Sequence, residues 1–417
     1  MLIHVRLITL IVLACVAGVT TASDQIPGAM PKGPVAIVGA TIHPVSGPVI
    51  KQGVLVFENG KITAVGDNVK VPKAAVVIKA GGKHIYPGLF EPYSRIGLTE
   101  ISSVRASNDY RESGSLNPNV KAHVSVDPDG EIIPVTRSNG VLLTMTAPTG
   151  GLISGQSAVL QLDGWTYEDM TVLPRAGMII SLDSENERQR LHAFFDEARR
   201  YNQGQEAKSK ILHDARLESM DKVLRGEQPI IIHADRSNDI NRAIAFAVDQ
   251  KVKLVIFGGY DAPQCRELMK KYDIPVIISA VHRNPGRRDD PYDAAYTLAK
   301  RLQDAGIRFC ISGYERSDSW NARNLPYHAA TAVAFGLSKE DAIRAITLSP
   351  AEILGVEKRV GSLDAGKDAT LILCDGDPLE AATQVQSAWI AGKPVDLSNK
   401  QTMLYEKYQR KYDQSKK

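Results

Sequence analysis

Residues 229–257 read PIIIHADRSNDINRAIAFAVDQKVKLVIF, and the fold turns on them. Pro229–His233 is a short, continuous apolar run, the pattern of a strand covered on both faces. Ile240–Gln250 reads as a helix and Val252–Phe257 as a second apolar strand. A strand, a helix and a strand at this spacing imply parallel neighbours in one sheet. Working outward, further strand-like runs stand at Val141–Met145, Met178–Ser181, Ile274–Ser279 and Ile307–Ser312. Helical stretches fall between them at Lys208–Leu224, Gln264–Tyr272, Tyr292–Ala305 and Lys339–Leu348. Ser184 with Glu187 makes a capping box, followed by an apolar face of Leu191, Phe194, Phe195 and Ala198. Periodicity alone fits either a doubly wound sheet or a barrel, and the length of the run favours a TIM-type (β/α)8 barrel.

The two ends have a different texture. Val35–Thr41, Gly53–Phe57, Lys61–Val65 and Ala74–Ile78 are short β-branched runs, with Glu58–Asn59–Gly60 as a type I′ hairpin signal. Thr370–Cys374 and Ser387–Ile390 repeat that texture near the far end. Each piece is too small for its own core, so the two are expected to fold together. The expected organisation is an α/β chain with a barrel over 86–359 and a composite β-sandwich from 34–85 and 360–400. A charged helix or tail follows at 401–417.

The chain has 417 residues, 43% hydrophobic and 23% charged, with a net charge of +3. These values describe a globular protein and give no case for nucleic-acid binding. His4 and Arg6 precede the apolar Leu7–Val19 and then Thr20–Ser23, which reads as a signal peptide over 1–22. Export to the periplasm or beyond is the expectation. Val12–Cys15 also fits a loose lipobox, so a lipoprotein anchored through Cys15 stays open. No other segment suggests a membrane span. The four cysteines form no C-x-x-C pair, and Cys310 and Cys374 sit in apolar runs as small buried hydrophobes.

Val38–Thr41, Asn59–Gly66, Tyr86–Glu91, Ala345–Ala351 and Gly361–Ala369 together resemble the amidohydrolase superfamily, nearest its imidazolonepropionase-like branch. The resemblance implies a barrel plus sandwich, hydrolysis of C–N bonds, and one or two divalent metals such as zinc at the barrel mouth. Its first two ligands form a His-x-His pair, since residues i and i+2 of a strand share a face. The matching positions here are Tyr93 and Arg95. A guanidinium offers no lone pair and repels a cation. His233 keeps the third ligand position, whereas Gly258 and Gly313 stand where a histidine and an aspartate are expected. His233 is therefore the single surviving metal-ligand candidate, and a catalytic zinc ordinarily needs three protein ligands.

A barrel's working groups lie at the C-terminal ends of its strands. That rule gathers His233, Asp235 and Asp318 as catalytic candidates and Tyr93, Arg95, Arg137 and His282 as binding candidates. Several are cationic, which suits an anionic small molecule. The glycines and hydroxyls of Pro148–Ser157 fit either an anion-binding nest or ordinary turns between strands. Two functions follow. One is an amidohydrolase-like hydrolase of amide or lactam-like C–N bonds with an atypical or lost metal site. The other is a non-catalytic barrel that binds a small anion or a protein partner in the cell envelope. A homo-oligomer is compatible with either.

Overall fold

The computed structural model describes residues 25–182, 184–208, 212–314 and 319–415. The leader reading over 1–22, with Cys15, lies outside the described residues. Among the described residues no helix is long and apolar enough to cross a membrane.

One eight-stranded sheet draws on both chain ends. From the first come β1 (Val35–Ile42), β2 (Ile50–Glu58), β3 (Lys61–Gly66), β4 (Val76–Lys79) and β5 (His84–Pro87). The second sheet is formed by β6 (Leu89–Ser94), β7 (Val141–Thr146), β8 (Ile153–Gln161), β9 (Thr171–Ile180), β10 (Ile230–Ala234), β11 (Leu254–Gly258), β12 (Val276–Ile278) and β13 (Phe309–Ile311). The chain then returns to the first sheet with β14 (Leu371–Cys374), β15 (Val385–Ile390) and β16 (Lys393–Pro394). The seam between the two ends is β5 against β14, antiparallel, with Ile85 opposite Leu373. The β2–β3 hairpin turns on Asn59 and Gly60, both at positive φ (49° and 81°), as a type I′ turn requires.

The second sheet is a nearly closed barrel with strands in sequence order from β6 to β13. Seven strands run parallel, and β8 runs antiparallel to both β7 and β9. Alternate residues fill the interior: Leu143, Met145, Ile179, Ile231, Val255, Phe257, Ile277 and Cys310 pack in one cluster. The intervening residues face the helical shell. In the helix Ser237–Gln250 the buried face is Ile240, Ala243, Ile244 and Ala247, and the chain leaves it through Lys251 at φ 55°.

The barrel's last seam is closed by a side chain. Glu91 of β6 accepts from Ser312 Oγ and, at 2.8 Å, from Gly313 N–H, both just beyond β13. The Gly-rich stretch 148–157 divides: Gly150 and Gly151 turn the chain at positive φ, and residues from Ile153 onward form β8. Its second half is a strand rather than a nest or turn.

Candidate active site at the barrel mouth

The parallel strands end together, and β10 places His233 there. Ile231 and His233 share the inward face, so the imidazole stands above the interior cluster and is solvent-exposed. Its ring lies 5.5 Å from that of Phe257 on the next strand, and among the described residues no hydrogen bond engages its nitrogens. A cavity of about 150 Å³ opens beside it, lined by Tyr93, Thr149, Ile179, Ser181 and Phe257 among others. That is room for roughly five water molecules.

Tyr93 forms the opposite wall. A bulge between Glu91 and Ser94 turns it inward, where it stacks on Phe257 with ring centres 3.9 Å apart and meets the Tyr314 edge at 5.2 Å. Burial pushes its phenol well above the usual range; Tyr314 adds to the shift and the Arg95 charge opposes it. Arg95 follows just past the strand end. Its guanidinium lies over the Tyr110 ring at 4.3 Å and the Tyr314 ring at 5.8 Å, and its backbone N–H donates to Ser319 Oγ at 3.0 Å.

Gly258 explains why the site cannot be completed by one substitution. A Cβ there would lie 2.7 Å from Asp235 Oδ1 and 3.3 Å from the His233 ring, and the residue has φ +106°, which side-chain-bearing residues rarely adopt. The backbone at Gly258 is thus unsuited to the side chain that the resemblance would place there. At Gly313 a Cβ would lie 3.2 Å from Glu91 Oε2 and 3.6 Å from His328 Nε2. The Glu91 carboxyl occupies the space an aspartate would need. Among the described residues no three His, Cys, Asp or Glu side chains converge as a metal site. The donor set does not fit the two-metal centre that the resemblance implies.

The other candidates separate. Asp235 lies at the mouth, but Arg283 holds it at 3.0 Å and Tyr260 N–H donates to it at 3.3 Å, so it braces the rim. His282 turns away: its Nε2 meets Thr331 Oγ1 at 2.7 Å and its ring stacks on His328 at 4.1 Å. It lines no part of the His233 cavity. Arg137 is at the opposite end of the barrel, because it precedes β7 instead of following a strand. There it is buried, donating to Asp163 at 2.6 Å and to the Leu162 carbonyl at 3.1 Å. It is a structural ion pair rather than a ligand-binding group. Asp318 lies outside the described residues.

Two groups near the mouth carry unusual protonation. Burial raises the Glu91 carboxyl to about 7, against the lowering effect of the Ser312, Gly313 and Tyr93 hydrogen bonds. Burial, then the neighbouring His282, lowers His328 to about 3. His328 Nδ1 accepts from the Val281 and His282 backbone N–H groups at 3.2 and 3.3 Å, so the network assigns its proton to Nε2, which faces Gly313. Their partners are far away in sequence: Glu91 meets Ser312 and Gly313, and His328 meets Val281 and His282.

A larger cleft of about 770 Å³ opens at the barrel's other end, among Pro229, Leu254, Ile274 and Arg308. These residues precede or begin strands, on the face where barrels do not place chemistry. Position outweighs volume here.

Residues 295–400 match the model of the amidohydrolase family. The amidohydrolase tasK of Hapsidospora irregularis is 21% identical over 390 residues, covering 82% of this chain and 39% of the relative. The chain thus spans about two fifths of that protein's length. A crystal structure of an amidohydrolase from Thermotoga maritima MSB8 superimposes with a TM-score of 0.80 and 25% identity, covering 87% of this chain and 99% of that one. An adenosine deaminase from Xanthomonas campestris, with bound zinc, shares the fold at TM-score 0.55 and 15% identity, over 90% of this chain and 97% of its own. The nearly closed barrel with a separate sheet is the architecture of these amidohydrolase neighbours.

Proposed function

We propose that the protein hydrolyses C–N bonds of small amides or lactam-like compounds at the mouth of its barrel, with His233 as the general base. The observation that carries this reading is the His233 ring: exposed, inward-facing, and set in a cavity with hydroxyl-bearing Ser181 and Thr149. The amidohydrolase match over 295–400 and the likeness to the imidazolonepropionase-like branch at both chain ends support the reaction class. Neutral imidazole takes a proton from water as the water oxygen bonds to the carbonyl carbon. The tetrahedral adduct then collapses, the C–N bond breaks, and the imidazolium returns that proton to the departing nitrogen. The chain's own donor set supports no step through a bound metal.

The expected result is release of amine from N-acyl amino acids or small lactams. His233→Asn should lower kcat/KM by roughly 10²- to 10⁴-fold, the usual range for a general base. Chelator should leave the wild-type rate unchanged. Turnover that survives His233→Asn sinks the assignment. The second reading, a barrel that binds its ligand without turning it over, is favoured by the conformation of Gly258. It predicts ligand binding with no amine released by the wild type.

A further inference from the structure

We propose that the cleft at the end of the barrel opposite the mouth is a second binding site, which holds a small organic anion with an apolar body and performs no chemistry on it. Its volume of about 770 Å³ suits such a molecule, since small-molecule pockets run from roughly 300 to 1,000 Å³. The floor is apolar and continuous with the barrel interior: Val255 and Leu354 belong to the interior cluster, and Leu173 and Ile353 pack against it. The strands' C-terminal ends, and His233 with them, lie at the other end, so a molecule held here meets no reacting group.

The pairing of the charges around the cleft gives the inference its direction. Three carboxylates line it, and an arginine holds each one. Arg225 holds Glu227 at 3.0 Å, Arg308 holds Asp273 at 2.8 Å and Arg344 holds Glu352 at 2.7 Å. Arg175 is engaged as well, by Asp221 at 2.9 Å. Lys222, Lys251 and Lys253 also line the cleft, and among the described residues none of the three has a carboxylate partner. Their ammonium groups are the surplus charge. Lys253 stands two residues before Val255 and four before Phe257, both of which fill the interior, and its carbonyl accepts from Ile230 N–H at 2.8 Å. Strand period therefore sends its side chain to the barrel side, over the apolar floor. The last carbonyls of the Ser237–Gln250 helix would repel an anion, but the Val252 and Lys251 N–H groups engage those of Ala247 and Val248 at 3.0 and 3.2 Å. An ammonium is a point charge that pairs with a carboxylate or a phosphate alike, so charge selects the head group and the floor selects the body.

Calorimetric titration at low salt with octanoate, octyl phosphate and the neutral octanol tests this. The wild type should bind one equivalent of either anion, about tenfold or more tightly than the alcohol, as expected for charge-assisted contacts. The tighter of the two anions identifies the head group. Lys251→Met combined with Lys253→Met should abolish the preference and leave the melting temperature unchanged, because both side chains are exposed. High salt should weaken the preference in the wild type. Equal wild-type affinity for the anions and the alcohol overturns the proposal, as does a preference that survives the double substitution. A preference lost on His233→Asn also overturns it, since the anion would then sit at the mouth. Should the double variant fail to fold, the comparison with the alcohol in the wild type and in His233→Asn still decides.

Discussion

Glu91 ties β6 to the end of β13 through both carboxyl oxygens, while its burial favours the protonated form, with a pKa of about 7. Between pH 4.5 and 7 the unfolded chain releases this proton and the folded protein retains it. Glu91's contribution to stability is therefore complete below pH 4.5 and is lost as pH rises to 7, on the order of 3 kcal/mol for such a shift. His328 has the opposite sign: depressed to about 3, it costs stability as pH falls from 6.5 towards 3, because only the unfolded chain takes up the proton. The two slopes oppose each other between pH 4.5 and 6.5, so a variant is needed to separate them. Urea unfolding of wild type and Glu91→Gln at pH 5 and pH 8 should show the wild type losing ground to the variant at the higher pH. A difference that does not change with pH would remove Glu91 as the titrating clasp.

Among the barrel strands, β8 is the one whose identity was hidden; in the other sheet the short β5 and β16 also went unread. Ser154, Gln156 and Ser157 are buried polar residues; the Gln156 amide donates to the Pro118 carbonyl and the Ser157 hydroxyl to the Gly177 carbonyl, both remote in sequence. A strand so furnished shows neither alternation nor an apolar run. By contrast, β10 and β11 were legible because a strand covered on both faces must be apolar throughout. Tyr93 and Arg95 were set at the mouth by the family resemblance, and the register shift between Glu91 and Ser94 is what no period-two reading of this strand could supply. The placement of Arg137 failed because its end of the barrel depends on whether a strand precedes or follows it. Gly155, at φ 133° with its Cβ position 2.8 Å from the Val120 carbonyl, fixes β8 against the 116–121 segment. Gly155→Ala should cost about 1–3 kcal/mol in thermal unfolding. An unchanged melting temperature would show that the segment yields freely.

At the scale of the whole molecule, the first sheet exists only when both chain ends are present. A chain ending at 360 would lack β14 to β16 and leave the β5 edge open, and should be recovered as aggregate. A chain ending at 399 loses only the helix Lys400–Ser415, which buries no residue, and should keep its melting temperature within about 1 °C. Soluble, cooperatively folding protein from the shorter chain would contradict the composite sheet. The two ends also meet: Gln25 Nε2 donates to the Ser398 carbonyl at 2.5 Å, and Gln25 also bonds Arg137, at the end of the barrel remote from His233. Gln25 and Ser398, far apart in sequence, thus meet at the pole opposite the mouth, so contacts made there leave the His233 cavity uncovered.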